Sequence, residues 1–190
     1  MPPRPRLRLL RVNPRPEPAR TRPRPVNSMD ILWTPWRFSY VSDGVKRDGC
    51  IFCEKIAADP KHDAENLILH RGKHNFVVLN LYPYTTAHAM IAPYAHQARL
   101  AGLDAETLGE MMELAQKLET VLEQTYHPDG FNVGMNLGRS AGAGVADHVH
   151  LHFLPRWTGD SSFMTTVGET RVQPEELSTT YQKLAAFFRA

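Results

Sequence analysis

A chain of 190 residues with 42% hydrophobic content suffices for one domain with a buried core, and its composition is that of an ordinary globular protein. The net charge of +2 conceals a division: residues 1–28 hold eight arginines against one acid, Glu17, so the rest of the chain stands at −5 and offers no broad basic face for nucleic acid. No run of about 18 apolar residues occurs, so no transmembrane span or membrane partner is expected, and two cysteines in a single C-x-x-C do not suggest a secreted disulfide framework, so the cytoplasm is the default compartment.

The first 28 residues also contain eight prolines, and Arg/Pro-rich sequence of this kind is expected to be extended and mobile rather than packed. The segment lacks the apolar stretch of a secretory signal, and its prolines spoil an amphipathic transit helix. Met29 stands just before the first dense apolar segment, Ile31-Leu32-Trp33, and is the expected natural start. The alternative is a genuine basic tail that touches RNA or acidic surfaces. The expected organisation is a leader over 1–28 and a domain over 29–190.

Ile31 to Val41 is aromatic and broken by Pro35, and reads as an extended arm on the core. Cys50-Ile51-Phe52-Cys53 opens a short helix that stops near Asp59-Pro60. Leu67 to His70 reads as a strand, Gly72 to Asn75 as its turn, and Phe76 to Leu81 as the next strand. His88 to Ala92 is a third, closed by Pro93. Asp104 is a good N-cap for a long helix, in which Leu108, Met111, Met112, Ala115, Leu118 and Leu122 follow the spacing of one buried face. His127-Pro128-Asp129-Gly130 ends it. Phe131 to Asn136 is a strand, Gly138 to Asp147 a loop of small residues, and Pro174 starts a final amphipathic helix to Arg189. Strands in hairpins, one long helix, a second hairpin and a C-terminal helix predict an α+β domain with an antiparallel sheet.

The densest chemistry lies in His148-Val149-His150-Leu151-His152-Phe153-Leu154. Alternation at period two is strand geometry, so the three imidazoles share one face and Val149, Leu151 and Phe153 the other. Nine histidines in the chain make a chance H-x-H-x-H rare. A row of imidazoles on a rigid strand suits metal binding, phosphate binding or nucleophilic chemistry on phosphate. The preceding Gly138 to Asp147 loop brings backbone N–H groups that can form an anion nest. On its own it is an ordinary hairpin turn; beside three histidines it reads as a phosphate cradle. Cys50 and Cys53 make half of a tetrahedral zinc site, with His148 and His96 as candidates for the rest, although spacing alone cannot choose among nine histidines. The rival is a redox C-x-x-C, whose usual βαβ setting is missing.

These residues resemble the histidine triad (HIT) superfamily of nucleotide hydrolases and transferases over about residues 29–190. The motif H-φ-H-φ-H-φ-φ is complete as His148 to Leu154. The resemblance implies a HIT fold, a homodimer, and His150 as the nucleophile that attacks the α-phosphorus of a nucleotide and forms a covalent nucleotidyl-histidine. His152 would contact the phosphate oxygens or the leaving group. His150 must present the correct nitrogen, so its other nitrogen is expected to bond a backbone carbonyl. By the same resemblance Cys50, Cys53, His96 and His148 would hold a structural zinc, Asn80 would bond the ribose, His88 would support the triad, and Asn136 would lie near the scissile phosphate. Ordinary strand-end hydrogen bonding is the plain alternative for Asn80 and Asn136.

One departure concerns the loop. Common members carry A-G-Q-[ST]-V-x-H, whereas this chain has Ala141-Gly142-Ala143-Gly144-Val145-Ala146-Asp147-His148, one residue longer and without those side chains. Contacts to phosphate would then come from Ser140, Gly142, Ala143 and Gly144, largely through backbone amides. The long loop, the Leu32 to Arg37 arm and Pro155-Arg156-Trp157 resemble a bacterial branch that contains diadenosine tetraphosphate phosphorylases. Trp157 could stack on a base or serve as a core or interface aromatic. The implied activity is cleavage of a dinucleoside polyphosphate, diadenosine tetraphosphate first, with water or phosphate as acceptor. The alternatives are an adenosine phosphoramidate hydrolase and a nucleotide- or RNA-binding module without turnover.

Overall fold

Alternating apolar residues become strands, and residues repeating every three to four become helix. A computed structural model describes residues 49–167 and 173–188. The leader, the expected start at Met29 and the Leu32 to Arg37 arm lie outside the described residues. In chain order these are α1 (Ile51–Ala57), a 3-10 turn (Pro60–His62), α2 (Asp63–Asn66), β1 (Ile68–Arg71), β2 (Asn75–Leu79), β3 (Ala89–Pro93), α3 (Ala105–Tyr126), β4 (Gly130–Gly134), β5 (Leu151–Arg156), α4 (Phe163–Thr166) and α5 (Leu177–Phe188). The five strands form one antiparallel sheet in the order β1-β2-β3-β5-β4, the α+β architecture expected.

Asp104 caps α3 through its side chain, which accepts from the Thr107 amide at 2.7 Å. His127, in the left-handed region at φ 47°, ends it. The buried stripe of α3 is Thr107, Met111, Leu114, Ala115, Leu118, Val121 and Leu122. Leu108 is only half-buried and Met112 is 55% exposed, so the expected stripe is displaced by part of a turn. Leu114 and Val121 take those places because α3 packs along β2, β3 and β5 and meets α5 on its other side. β2 and β3 are buried along their whole length, which puts the core at the centre of the sheet.

Several boundaries differ from expectation; β4, for one, runs from Gly130 to Gly134 and ends two residues short of Asn136. β2 begins at Asn75, paired with Pro93, and ends at Leu79, because Asn80 turns into the β2–β3 connection. Pro93 is the last residue of β3, not its stop. α5 starts at Leu177, three residues after Pro174. The Glu175 carboxylate accepts from the Tyr126 hydroxyl at 2.6 Å, the Thr180 hydroxyl at 3.0 Å and the Lys183 amine, so it ties the crossover to α3 before the helix begins. Burial and the bond to Glu175 hold the Tyr126 hydroxyl well above the ordinary tyrosine range.

Candidate functional site

β5 and the extended residues before it carry the histidines. His148 and His150 precede the strand proper, and His152 lies within it, opposite Met90 of β3 and Gly134 of β4. The segment is held from below, since the Val149 amide donates to the Gln97 carbonyl at 2.6 Å. Ring centroids of His150 and His152 lie 4.7 Å apart. Phe52 of α1 backs the row at 5.2 Å from His148 and 5.0 Å from His150.

Each imidazole has a partner that fixes its proton, and the tautomers follow from that network. His150 Nδ1 sits 2.9 Å from the His148 carbonyl, which can only accept, so Nδ1 carries the proton and Nε2 the lone pair. His148 Nε2 donates to the Pro93 carbonyl at 2.8 Å, leaving its Nδ1 lone pair turned toward the cysteines. His88 Nδ1 receives the Tyr84 amide at 3.2 Å and so must be bare. His88 Nε2 therefore donates to His152 Nδ1 at 3.0 Å, and the proton of His152 sits on Nε2. Burial and the neighbouring His150 bring His152 down to about 4, and burial lowers His150 and His148 as well. Burial therefore favours the neutral form along the row.

Asn80 and His88 meet at the end of this chain of bonds. Asn80 Nδ2 donates to His88 Nδ1 at 3.2 Å, while Asn80 Oδ1 accepts the Tyr82 amide at 3.0 Å. Asn136 lies two residues past the end of β4, whose last pair is Gly134↔His152. The loop bends at Gly138 and Gly142, with φ of 86° and 87°. It also bonds to itself: the Gly142 amide donates to the Arg139 carbonyl at 2.9 Å and the Ala143 amide to the Gly138 carbonyl at 3.4 Å. Those two amides reach an anion only if the loop rearranges. Ser140 and Gly144 are exposed. Trp157 is not brought to the row; its indole N–H donates to the Tyr126 carbonyl at 3.4 Å, at the end of α3.

Cys50, Cys53, His96 and His148 converge, with one ligand atom of each within 4.8 Å of the others. His148 Nδ1 lies 3.3 Å from Cys50 Sγ and 3.6 Å from Cys53 Sγ, and His96 Nδ1 lies 3.3 Å from Cys53 Sγ. Bond lengths of 2.0–2.3 Å at a tetrahedral zinc imply ligand separations of roughly 3.3–3.8 Å, so the donors fit the ion. The bond from His148 to Pro93 O is the outer contact that orients such a ligand. Burial and the adjacent Cys50 push the Cys53 thiol up, so a cation is what would make the thiolates favourable.

Phe52 and Tyr84 belong to this site although no motif marks them. Phe52 hides inside the C-x-x-C. Tyr84 lies four residues before His88, with its ring 4.8 Å from that of His88 and 6.2 Å from that of His152.

Comparison with known proteins agrees with this geometry. An AP-4-A phosphorylase of Mycobacterium tuberculosis is 40% identical over 164 residues, 81% of this chain and 82% of that protein. An adenosine 5′-monophosphoramidase HNT1 of Candida albicans is 32% identical over 111 residues, 56% of this chain and 70% of that protein. Among solved structures, a zinc-bound histidine triad family protein from Mycobacterium smegmatis superposes with a TM-score of 0.59 at 25% identity, over 74% of this chain and 94% of its own. The match to the HIT domain spans residues 61–159, more than half of the sequence, and with the relatives it places the chain in the HIT domain family.

Proposed function

We propose that the chain is a nucleotidyl-transferring HIT enzyme that cleaves a dinucleoside polyphosphate, diadenosine tetraphosphate first. The observation that carries this is the fixed proton arrangement: His150 presents a bare Nε2 beside His152, which presents an N–H. His150 Nε2 attacks the α-phosphorus, a P–N bond forms, and the P–O bond to the remaining triphosphate breaks. The new positive charge on the ring is spread through Nδ1–H to the His148 carbonyl. His152 Nε2–H donates a hydrogen bond to oxygen on the departing side and offsets the charge that builds there. An acceptor then displaces the histidine: water yields AMP, phosphate yields ADP, and ATP leaves in either case.

Phosphate is the favoured acceptor, because the AP-4-A phosphorylase aligns over most of both chains. The second reading is the phosphoramidase reaction, favoured by the likeness to the HNT1 proteins over 56% of this chain. An amine leaving group needs a full proton, whereas a triphosphate departs as a stable anion. A neutral His152 suits the anhydride better. In this reading Asn80 and Asn136 contact ribose and phosphate, and Ser140 and the Gly142–Gly144 loop close on the phosphates. The cysteines, His96 and His148 hold a structural zinc that, when bound, cross-links α1 to the histidine segment. A homodimer is part of the proposal, supported by β4 as the sheet edge with Val133 47% exposed.

Phosphorus NMR of diadenosine tetraphosphate with and without inorganic phosphate tests the reaction. ADP plus ATP appearing only with phosphate is the expected result; AMP plus ATP regardless of phosphate makes the chain a hydrolase. Normal turnover by His150→Ala would refute the covalent step.

A further inference from the structure

Beyond His152 the same side of β5 continues through Leu154 and Arg156, and the structure holds a cleft of about 250 Å³ there. It is lined by Tyr84, Thr85, Leu154, Arg156, Asp160, Ser161 and Thr165. Tyr84 belongs to both places: its ring stacks near His152 at 6.2 Å, so the cleft opens directly beside the histidine row.

Arg156 would ordinarily be read as a phosphate ligand. Here its Nε and Nη2 donate to Asp160 at 2.5 and 2.8 Å, and its Nη1 donates to Asn132 Oδ1 at 2.6 Å. Asp160 is held in turn by the Trp157 amide at 3.2 Å. The pair is neutral overall and three of the five guanidinium N–H groups are engaged, so the guanidinium is fixed in place and offers a ligand chiefly its flat face. Tyr84, 39% exposed, and half-buried Leu154 add planar and apolar surface. Apart from the Asp160 carboxylate held by Arg156, the remaining groups are hydroxyls, and Thr85 Oγ1 is buried with no hydrogen-bond partner. A buried hydroxyl without a partner calls for one supplied from outside the chain.

We infer that this cleft binds the nucleoside distal to the cleaved phosphate, its base against the Tyr84 ring and the Arg156 plane and its sugar hydroxyls on Thr85, Ser161 and Thr165. The inference rests on the reaction proposed above and selects a dinucleoside over a nucleotide joined to a small amine. Strands rise about 3.3 Å per residue, which puts Arg156 about 13 Å beyond His152. Only an extended bridge of several phosphates carries a second nucleoside that far.

The test compares two uncleaved ligands by titration calorimetry. One is a diadenosine tetraphosphate with methylene groups in place of its bridging oxygens. The other is the corresponding adenosine tetraphosphate, with the same phosphates and no second nucleoside. The wild type is expected to bind the dinucleoside about tenfold tighter or more. Thr85→Val, which removes the hydroxyl at constant shape, and Ser161→Trp, which fills the cleft from an exposed position, are each expected to close most of that gap. Both should bind the mononucleoside ligand as the wild type does, a readout that also confirms their fold. Equal affinities in the wild type, or a gap that survives both substitutions, would overturn the inference. Neither outcome depends on covalent chemistry, so an active His150→Ala enzyme would refute the reaction and leave this difference standing.

Discussion

Glu110 ties the long helix to the β1–β2 turn, and its removal gives a stability change that can be worked out beforehand. Its carboxylate accepts the amides of Lys73, His74 and Asn75 at 2.6, 2.7 and 2.7 Å, and Asn75 Nδ2 at 2.9 Å. Asn75 is fully buried, while Lys73 is exposed. In Glu110→Ala the exposed Lys73 amide turns to water, but the two buried Asn75 donors, both on Oε2, lose their acceptor. Counting about 1–1.5 kcal/mol for each of those two donors gives a loss of about 2–3 kcal/mol. For a domain of this size that lowers Tm by roughly 5–10 °C. Burial alone would raise the Glu110 pKa; the four bonds outweigh it and bring it below 4.5. A lowered carboxylate contributes stability above its unfolded pKa and loses it as pH falls through the folded value. The wild-type advantage over Glu110→Ala should therefore be full at pH 7 and shrink below about pH 4 in urea titrations. A difference under about 0.5 kcal/mol at pH 7, or one independent of pH, refutes the reasoning. The turn matters to the site because the Tyr94 hydroxyl bonds the Gly72 carbonyl at 3.1 Å and the Tyr94 amide bonds the His74 carbonyl at 2.9 Å, two residues before His96.

Three further outcomes are expected. Met111→Ala should cost about 3 kcal/mol, because the side chain is 1% exposed, while Met112→Ala should stay within about 0.5 kcal/mol; equal losses in denaturation would contradict the placement of the stripe. Elemental analysis should find zinc in the purified protein and little in Cys53→Ser or His96→Ala, and a chelator should lower the melting temperature; equal metal content in all three would remove the site. His152, at about 4 when folded and near 6.5 when free, should make stability fall as pH drops from about 6.5 toward 4, because the unfolded chain takes up the proton first. His152→Gln should flatten that part of the curve, and an unchanged slope would deny the shift.

Much of the site is legible in the residue order because it is local. The period-two alternation of His148 to Phe153 announces the histidine row, although the strand itself begins only at Leu151, and a short helix behind Cys50 follows from the breaker Pro60. The pairing of Cys50 and Cys53 with His148 is a contact across 95 and 98 residues, and no spacing rule selects it; only the fold or a family resemblance can. The register of α3 is not legible in the same way. Leu108 and Met112 fit the helical period as well as Leu114 and Val121 do, and the choice is made by where β2, β3 and β5 lie under the helix. Trp157 shows the same limit. Its place after Pro155-Arg156 gives no sign that the indole N–H meets a carbonyl at the end of α3.

Proton positions are a further layer, because they are set by main-chain groups that carry no residue identity. The Pro93 carbonyl fixes His148, the His148 carbonyl fixes His150, and the Tyr84 amide fixes His88, which then fixes His152. Two acceptors and one donor, each supplied by backbone, decide that Nδ1 of His148 faces the cysteines, Nε2 of His150 is bare and Nε2 of His152 is protonated. The third decision rests on the β2–β3 connection, where Tyr84 meets His88 and Asn80 holds the Tyr82 amide at the start of the turn. A substitution that loosens this connection without touching a histidine, such as Asn80→Ala, should therefore release the His152 tautomer. By the argument from outer contacts it should lower kcat about 10- to 100-fold. Nitrogen NMR of the imidazoles would separate this from simple loss of a ribose contact, which would raise KM and leave the tautomer as it was.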